Sequence, residues 1–526
     1  MFTNRKLLSV LSLVGLVAAG GAHAAGLVAA GDAFHISGST ALDNQVKDAL
    51  LLPSSAGGPC TAGTISVYTD APALSPAGPN LTKSHQATIV CNLAVAIGSL
   101  TAGTTVAFTK ESNGGSNEGT FYPAAQQTLA FFDATQTPTG CVSVGAVAAG
   151  FYWTHQQAIS TEFDQCTGVI IQAIPEVGVA DENPALFNVG PQALSGALIA
   201  KLNTTPLFQN QFGIAVSLNL YRNLQSQQGL VVGDDTLANM PSLTRAQLTA
   251  LYGGFITNWN QIVSPGGAAL PAGTVYTCRR GDNSGTNVSA DVFFLHNRCS
   301  ATGTPMVQAT TSVANCGSLS TGQTAENNGC HWAAVNINDL TFPGAATSDS
   351  VSCLDAHSRN GTYAFGHLGT TSKFDDPNGA TGATSEPGTN HWRYIAINGN
   401  KPTVEGMANG NYDYAFDNVE NLWTGLSGNS LAVGNFLGTL FQSPTALTDI
   451  LVAQPNAQTL AHAVDANFVT GGLQDGFVGT PSSVPASIAT VQANPTSDFT
   501  YDAGTLGTNN CQVPFVVGSA VTKEVY

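Results

Sequence analysis

Arg279-Arg280-Gly281-Asp282-Asn283-Ser284-Gly285-Thr286 sets two adjacent cations directly ahead of a glycine turn, after which Val288, Val292 and Leu295 recur at helical spacing. The same form appears at Ser37-Gly38-Ser39-Thr40, between the strand-like Phe34 to Ile36 and a helix predicted over Thr40 to Leu50 from Leu42, Val46 and Leu50. A third helix, Leu243 to Tyr252, opens on a capping box, Thr244-x-x-Gln247, and stops at Gly253-Gly254. Strand, tight glycine turn, helix is therefore the recurring local unit, and it predicts an α/β architecture.

The 526 residues allow two or three domains, and a hydrophobic content of 43% supplies real cores, which excludes a disordered chain. A net charge of −17 with only 16 Lys and Arg excludes a broad basic surface, so no nucleic acid or anionic membrane is expected as a partner. Any anion site must be local. Arg5 and Lys6, the apolar run Leu7 to Ala19 and Ala22-His23-Ala24 read as an export signal, residues 1–24, cut after Ala24. Losing those two cations and no acid takes −17 to −19. The apolar run is shorter than the roughly 20 residues a spanning helix needs, and no later stretch reaches that length, so no stable membrane insertion is expected.

Ten cysteines and no C-x-x-C pair disfavour a thioredoxin-like centre or a zinc ribbon. In an oxidising compartment the even count implies disulfides, the simplest neighbour pairings being Cys60 with Cys91, Cys141 with Cys166 and Cys316 with Cys330. Signal and cysteines together predict a periplasmic or secreted protein. Residues 53–108 carry β-like runs at Thr64 to Tyr68, Thr88 to Val95 and Thr104 to Phe108 and read as an insertion. Residues 300–350 and 369–390 are Gly, Thr, Ser and Asn rich and read as long surface loops, and one helix is expected in the tail, Ala446 to Val452. No internal repeat of fixed period is visible.

Four segments offer anion chemistry. Backbone N–H groups at a helix start are unpaired, so Ser37-Gly38-Ser39-Thr40 can hold an anion without a cation, although Ser39 or Thr40 can equally act as a plain N-cap. At 279–286 a guanidinium matches a tetrahedral oxyanion through paired N–H donors, with hydroxyls and turn amides completing a cage. Asp282 would steady an arginine there; a surface ion pair beside a capped helix is the plainer alternative. Lys110-Glu111-Ser112-Asn113-Gly114-Gly115-Ser116 and Gly178-Val179-Ala180-Asp181-Glu182-Asn183-Pro184 are, singly, an ordinary loop and an acidic cap. The Gly-Lys phosphate loop, His-Glu-x-x-His and Gly-x-Ser-x-Gly are all missing from the sequence.

In this order and with these spacers, the four segments resemble the periplasmic phosphate-binding protein of the bacterial phosphate ABC transporter. The likeness rests mainly on Arg279-Arg280-x-Asp282-x-Ser284-Gly285-Thr286 and on Leu243 to Gly254 followed by Thr257-Asn258-Trp259-Asn260, and it covers about half of the chain. The resemblance implies a two-domain type II periplasmic binding-protein fold with hinge strands, here Phe212 to Leu220 and the return at Tyr412-Asp413-Tyr414, enlarged by β-rich insertions at 53–108, 119–168 and 300–350. Domain one would be 25–220 plus 411–526 and domain two 221–410. Tyr363-Ala364-Phe365-Gly366 is similar to a later strand of that family.

Carried over by position, the resemblance implies that Ser39, Thr40 and the amide of Ala41 bind phosphate from the first turn and Ser112 from the second. Asp181 would accept a hydrogen bond from the ligand, while Arg280, Ser284, Gly285 and Thr286 close the cage, supported by Arg279 and Asp282. The chain departs from the family in its size, in Ala180 where a hydroxyl is expected, and in the small Ala41. The expected function is capture of inorganic phosphate outside the cytoplasm, with an ABC permease as partner, no cofactor, no metal and no catalysis. Two rivals are a secreted or surface protein of the same fold, used in scavenging, adhesion or matrix, and a secreted phosphatase.

Overall fold

The computed structural model describes residues 27–441 except 71–80, 82–83, 153–155, 167–169, 191, 265, 299–303, 309–337, 345–346, 371–390 and 404–411, and beyond them short strands at 468–469, 501–502, 515–517 and 522–524. The export signal, Cys316, Cys330 and the helix expected at Ala446 to Val452 fall outside the described residues.

Strand β1 (Ala33–Gly38) runs into a 3-10 turn, Thr40–Leu42, and helix α1 (Asp43–Leu50), as the spacing of Leu42, Val46 and Leu50 predicts. The runs taken for an insertion form β2 (Ser66–Thr69), β3 (Gln86–Asn92) and β4 (Thr105–Glu111). The last of these is no insertion. It pairs in parallel with β1, Ala33 opposite Ala107, and both of its faces are buried, the signature of a central parallel strand. Helix α2 (Glu118–Ala125) follows. β5 (Leu129–Phe132) and β8 (Ile170–Ala173) form a separate ribbon, while β6 (Val142–Val147) and β7 (Ile159–Asp164) extend the main sheet past β2 and β3. β9 (Val177–Ala180) lies in parallel on the other side of β1.

After a short helix, α3 (Gly196–Ile199), comes the longest strand, β10 (Leu202–Ser217), and then α4 (Leu218–Gln227). The strand expected to reach Leu220 thus ends at Ser217. β11 (Ser242–Leu243) and α5 (Arg245–Tyr252) follow, α5 with its capping box formed in full by Thr244 and Gln247. β12 (Tyr276–Arg280) leads into α6 (Gly285–Ala290), which widens into a π-helical turn, Asp291–Leu295. The loop expected over 300–350 in fact contains β13 (Thr341–Gly344) and the start of α7 (Thr347–Arg359). β14 (Ala364–Gly369), β15 (Trp392–Ile397), β16 (Ala415–Trp423) and a helix, Gly428–Phe441, complete the main body.

One strand order occurs twice. In the first half β1 stands between parallel β4 and β9, followed by antiparallel β16 and then β10. In the second, β12 stands between parallel β13 and β14, followed by antiparallel β10 and then β15. The amino-terminal stretch of β10 serves the first half and its carboxy-terminal stretch the second. The α/β class, the two-part arrangement with connecting strands and the β-rich additions match the expectation from sequence. Each half has its own apolar core, one around Ile36, Phe108 and Leu437, the other around Phe212, Leu251 and Phe365. Disulfides join Cys60 to Cys91 and Cys141 to Cys166, as adjacency predicts, and Cys278 to Cys353, which it does not.

Candidate functional site

In parallel sheets the carboxyl ends of the strands and the helix starts beyond them make the natural ligand crevice. The candidate residues stand at such ends: Ser39 after β1, Ser112 to Ser116 after β4, Asp181 after β9, and Arg280 to Thr286 at the end of β12. Close backbone contact positions the first three. A Cβ on Gly38 would lie 2.0 Å from the Val179 carbonyl oxygen, one on Gly119 2.1 Å from the same atom, and one on Gly178 1.9 Å from the Gly119 oxygen. Only glycine lets α2 settle onto β1 and β9 in this way.

Asp181, 2% exposed, is the centre of the cluster. Ser39 Oγ donates to its Oδ1, and its backbone N–H donates to Ser116 Oγ at 3.3 Å. Burial pushes its carboxyl above the usual carboxylate range, opposed by hydrogen bonds from Ser39 and Ser116 and by the charges of Arg280 and Lys110. From the other half, Gly285 comes so close that a Cβ there would lie 2.5 Å from Asp181 Cβ and 2.5 Å from Ser116 Oγ. The two glycine junctions, distant in sequence, therefore converge. The Asn117 N–H donates to the Asn283 carbonyl at 3.0 Å, and Asn117 Nδ2 to Asn283 Oδ1 at 3.2 Å, so the halves also touch directly.

Arg280 is 1% exposed, and burial pulls its guanidinium down to about 10 against the pull of Asp349 and Asp181, so it stays charged at neutral pH. Its Nε donates to the Gly344 carbonyl at 3.3 Å and its Nη1 to Thr347 Oγ1 at 2.8 Å. Both bonds help to fix the position of the head group. Arg279 donates through Nη1 to Asp282 Oδ1 at 3.0 Å and to the Arg280 carbonyl at 2.8 Å. Asp282 therefore steadies Arg279, not Arg280. Ser284 and Thr286 are buried at the start of α6.

Three expected contacts are arranged differently. Ser112 Oγ donates to Asp43 Oδ2 at 2.7 Å and to the His85 carbonyl at 3.1 Å; it is Ser116, four residues on, that bonds to Asp181. The Ala41 amide donates to Ser39 Oγ at 3.1 Å, so in this structure it caps the turn. Thr40 is only half-buried at that turn. Sequence reading also leaves Lys110 unassigned. Its Nζ, 1% exposed, donates to the carbonyls of Gly38 at 2.7 Å and Glu111 at 3.0 Å and pairs with Asp43 at 3.0 Å. Drawing those carbonyls inward holds the first two turns in one geometry.

No family model and no curated protein matches the sequence. Three solved structures are similar to the chain. A candidate phosphate ABC transporter substrate-binding protein with bound phosphate, from Clostridium perfringens, is 11% identical at a TM-score of 0.35, over 80% of this chain and 97% of its own. An ABC-type phosphate transport receptor from Vibrio cholerae is 16% identical at 0.29, over 53% of this chain and 79% of its own. PstS from Borrelia burgdorferi is 11% identical at 0.32, over 80% and 97%. At these values every site residue stands on this chain's own contacts alone. Among the described residues no helix is long and apolar enough to cross a membrane.

Proposed function

We propose that the chain is an extracytoplasmic solute-binding protein that captures inorganic phosphate between its halves, with 25–220 plus 411–526 as one domain and 221–410 as the other, after removal of residues 1–24. The observation that carries this reading is the meeting of Asp181, Ser116 and Ser39 from one half with Gly285 and the charged Arg280 from the other. A carboxylate only accepts hydrogen bonds. It repels a fully deprotonated oxyanion but accepts from one that retains a proton at pH 7, as hydrogen phosphate does and sulfate does not. The Arg280 guanidinium supplies the opposite charge, and hydroxyls and turn amides supply neutral donors, so an acidic protein binds an anion against its own overall field. The ligand would then pass to an ABC permease.

A second use of the same site is favoured by the strands β2, β3, β6 and β7, which widen the sheet beyond what the site needs: a secreted or surface protein that holds phosphate without a permease. Equilibrium dialysis with labelled phosphate, with sulfate as competitor, tests the shared core of both readings. Saturable binding that sulfate fails to displace is expected; no binding would leave only the architecture. Turnover of a chromogenic phosphate ester, with and without divalent metal, would instead identify a phosphatase.

A further inference from the structure

The contacts behind Arg280 come from one helix, α7, and from the end of β13 before it. Thr347 and Gly344 accept its N–H groups, Asp349 attracts its charge, and Ser350 Oγ donates to the Arg279 carbonyl at 3.2 Å. Thr347, Asp349 and Ser350 belong to the first turn of α7, which presses on Gly344 so closely that a Cβ there would meet Asp349 Cβ at 2.9 Å and Ser350 Oγ at 3.0 Å. Where the guanidinium sits therefore depends on where α7 sits. Further along the same helix, Cys353 is bonded to Cys278 of β12. One turn on, the ring of His357 stacks on Tyr276 of β12 at 4.4 Å. Tyr276, Cys278 and Arg280 alternate along the strand, so all three project from one face of it. That face bears both the cross-link and the arginine.

A ring nitrogen of His357 and the two sulfurs lie within 4.8 Å of one another. Because the sulfurs are bonded to each other, this trio works as a cross-link and not as a metal centre. We propose that Cys278 and Cys353 are positioning residues for the anion site: their bond, backed by the Tyr276–His357 stack, fixes α7 against β12 so that Thr347, Gly344 and Asp349 hold the Arg280 guanidinium toward Asp181. The inference rests on reading the Arg280–Asp181 cluster as an anion site. The surroundings of the bond are apolar and fully buried, with Phe342, Leu354, Leu368 and Trp392 packed about it, so packing keeps the helix attached when the bond is absent while its exact seating loosens.

Phosphate affinity is measured by equilibrium dialysis on the full chain and on three variants. Wild-type binding tests the anion reading itself; its absence ends both that reading and this one. With binding present, Cys278→Ala combined with Cys353→Ala is expected to weaken affinity about tenfold at a temperature where circular dichroism shows the protein folded. Cys60→Ala with Cys91→Ala, which opens a bond in the other half, leaves affinity unchanged. Thr347→Val weakens wild-type binding severalfold and adds nothing in the chain lacking the Cys278–Cys353 bond, a coupling that general destabilisation would not produce. Undiminished affinity without the bond, or full additivity with Thr347→Val, overturns the proposal. Should the double cysteine variant fail to fold, His357→Leu keeps the bond and removes the stack: a severalfold loss supports the positioning role, and wild-type affinity overturns it.

Discussion

Asp181 and Arg280 stand on different strands, and each is shaped by burial before any ligand arrives. The carboxyl is pushed up and the guanidinium pulled down, while each favours the charged form of the other. Arg280→Ala is expected to abolish phosphate binding, and Asp181→Asn to retain binding while eroding the preference over sulfate, both read by competition dialysis. Ser116→Ala should weaken phosphate about tenfold, or ~1.4 kcal/mol, because it removes a hydroxyl at Asp181. Ser112→Ala should leave affinity near wild type and lower stability instead. The motif at 110–116 stands out in the sequence, but not which of its serines touches Asp181. Which hydroxyl reaches Asp181 depends on how Gly114 and Gly115 turn the chain, and Gly115 takes a φ of +76° that no neighbouring residue type announces.

Helices with a cap and a stop were readable from sequence, because a capping box and a 3.6-residue spacing are local signals: α5 and α1 lie within a residue or three of where their patterns put them. β13 was not. Thr341-Phe342-Pro343-Gly344 is too short to show alternation, and it is a strand because β12 offers it a parallel edge, with Cys278 opposite Phe342 and Arg280 opposite Gly344. The same holds for β4, taken for part of an insertion until its partner β1 shows it to be central. Lys110 at the end of β4 gives this scale its test. Lys110→Met strands the Asp43 carboxylate and three backbone carbonyls in the interior, and denaturant unfolding should show a loss of about 3–5 kcal/mol, the usual cost of breaking a buried pair.

At the scale of the whole molecule, Glu420 of β16 lies beneath the helix Gly428–Phe441, where Gly438 comes so close that a Cβ would be 2.3 Å from its Oε2. Burial raises this carboxyl to about 8 from an ordinary 4.5. Between those values the unfolded chain has released the proton and the folded one retains it, so stability falls as pH rises through that window and is full below it. The contribution lost by pH 8 is on the order of 4 kcal/mol. Urea midpoints for Glu420→Gln should therefore change less between pH 5 and pH 8 than those of wild type, and equal slopes would show that the group ionises freely. No sequence signal marks this position, since only the contact of two distant segments removes it from water.

The strand Leu202–Ser217 also has a consequence for biogenesis. It is the fifth strand of one half and the fourth of the other: its carboxy-terminal stretch first finds a partner at Phe365, opposite Val216, and its amino-terminal stretch must wait for Ala415, opposite Gln211, roughly 200 residues on. The half built on β1 cannot be completed until β16, Ala415–Trp423, has been made. A long unpaired edge stays on offer to stray β-structure throughout that interval, so the nascent molecule is far more exposed to wrong partners than its finished form would imply.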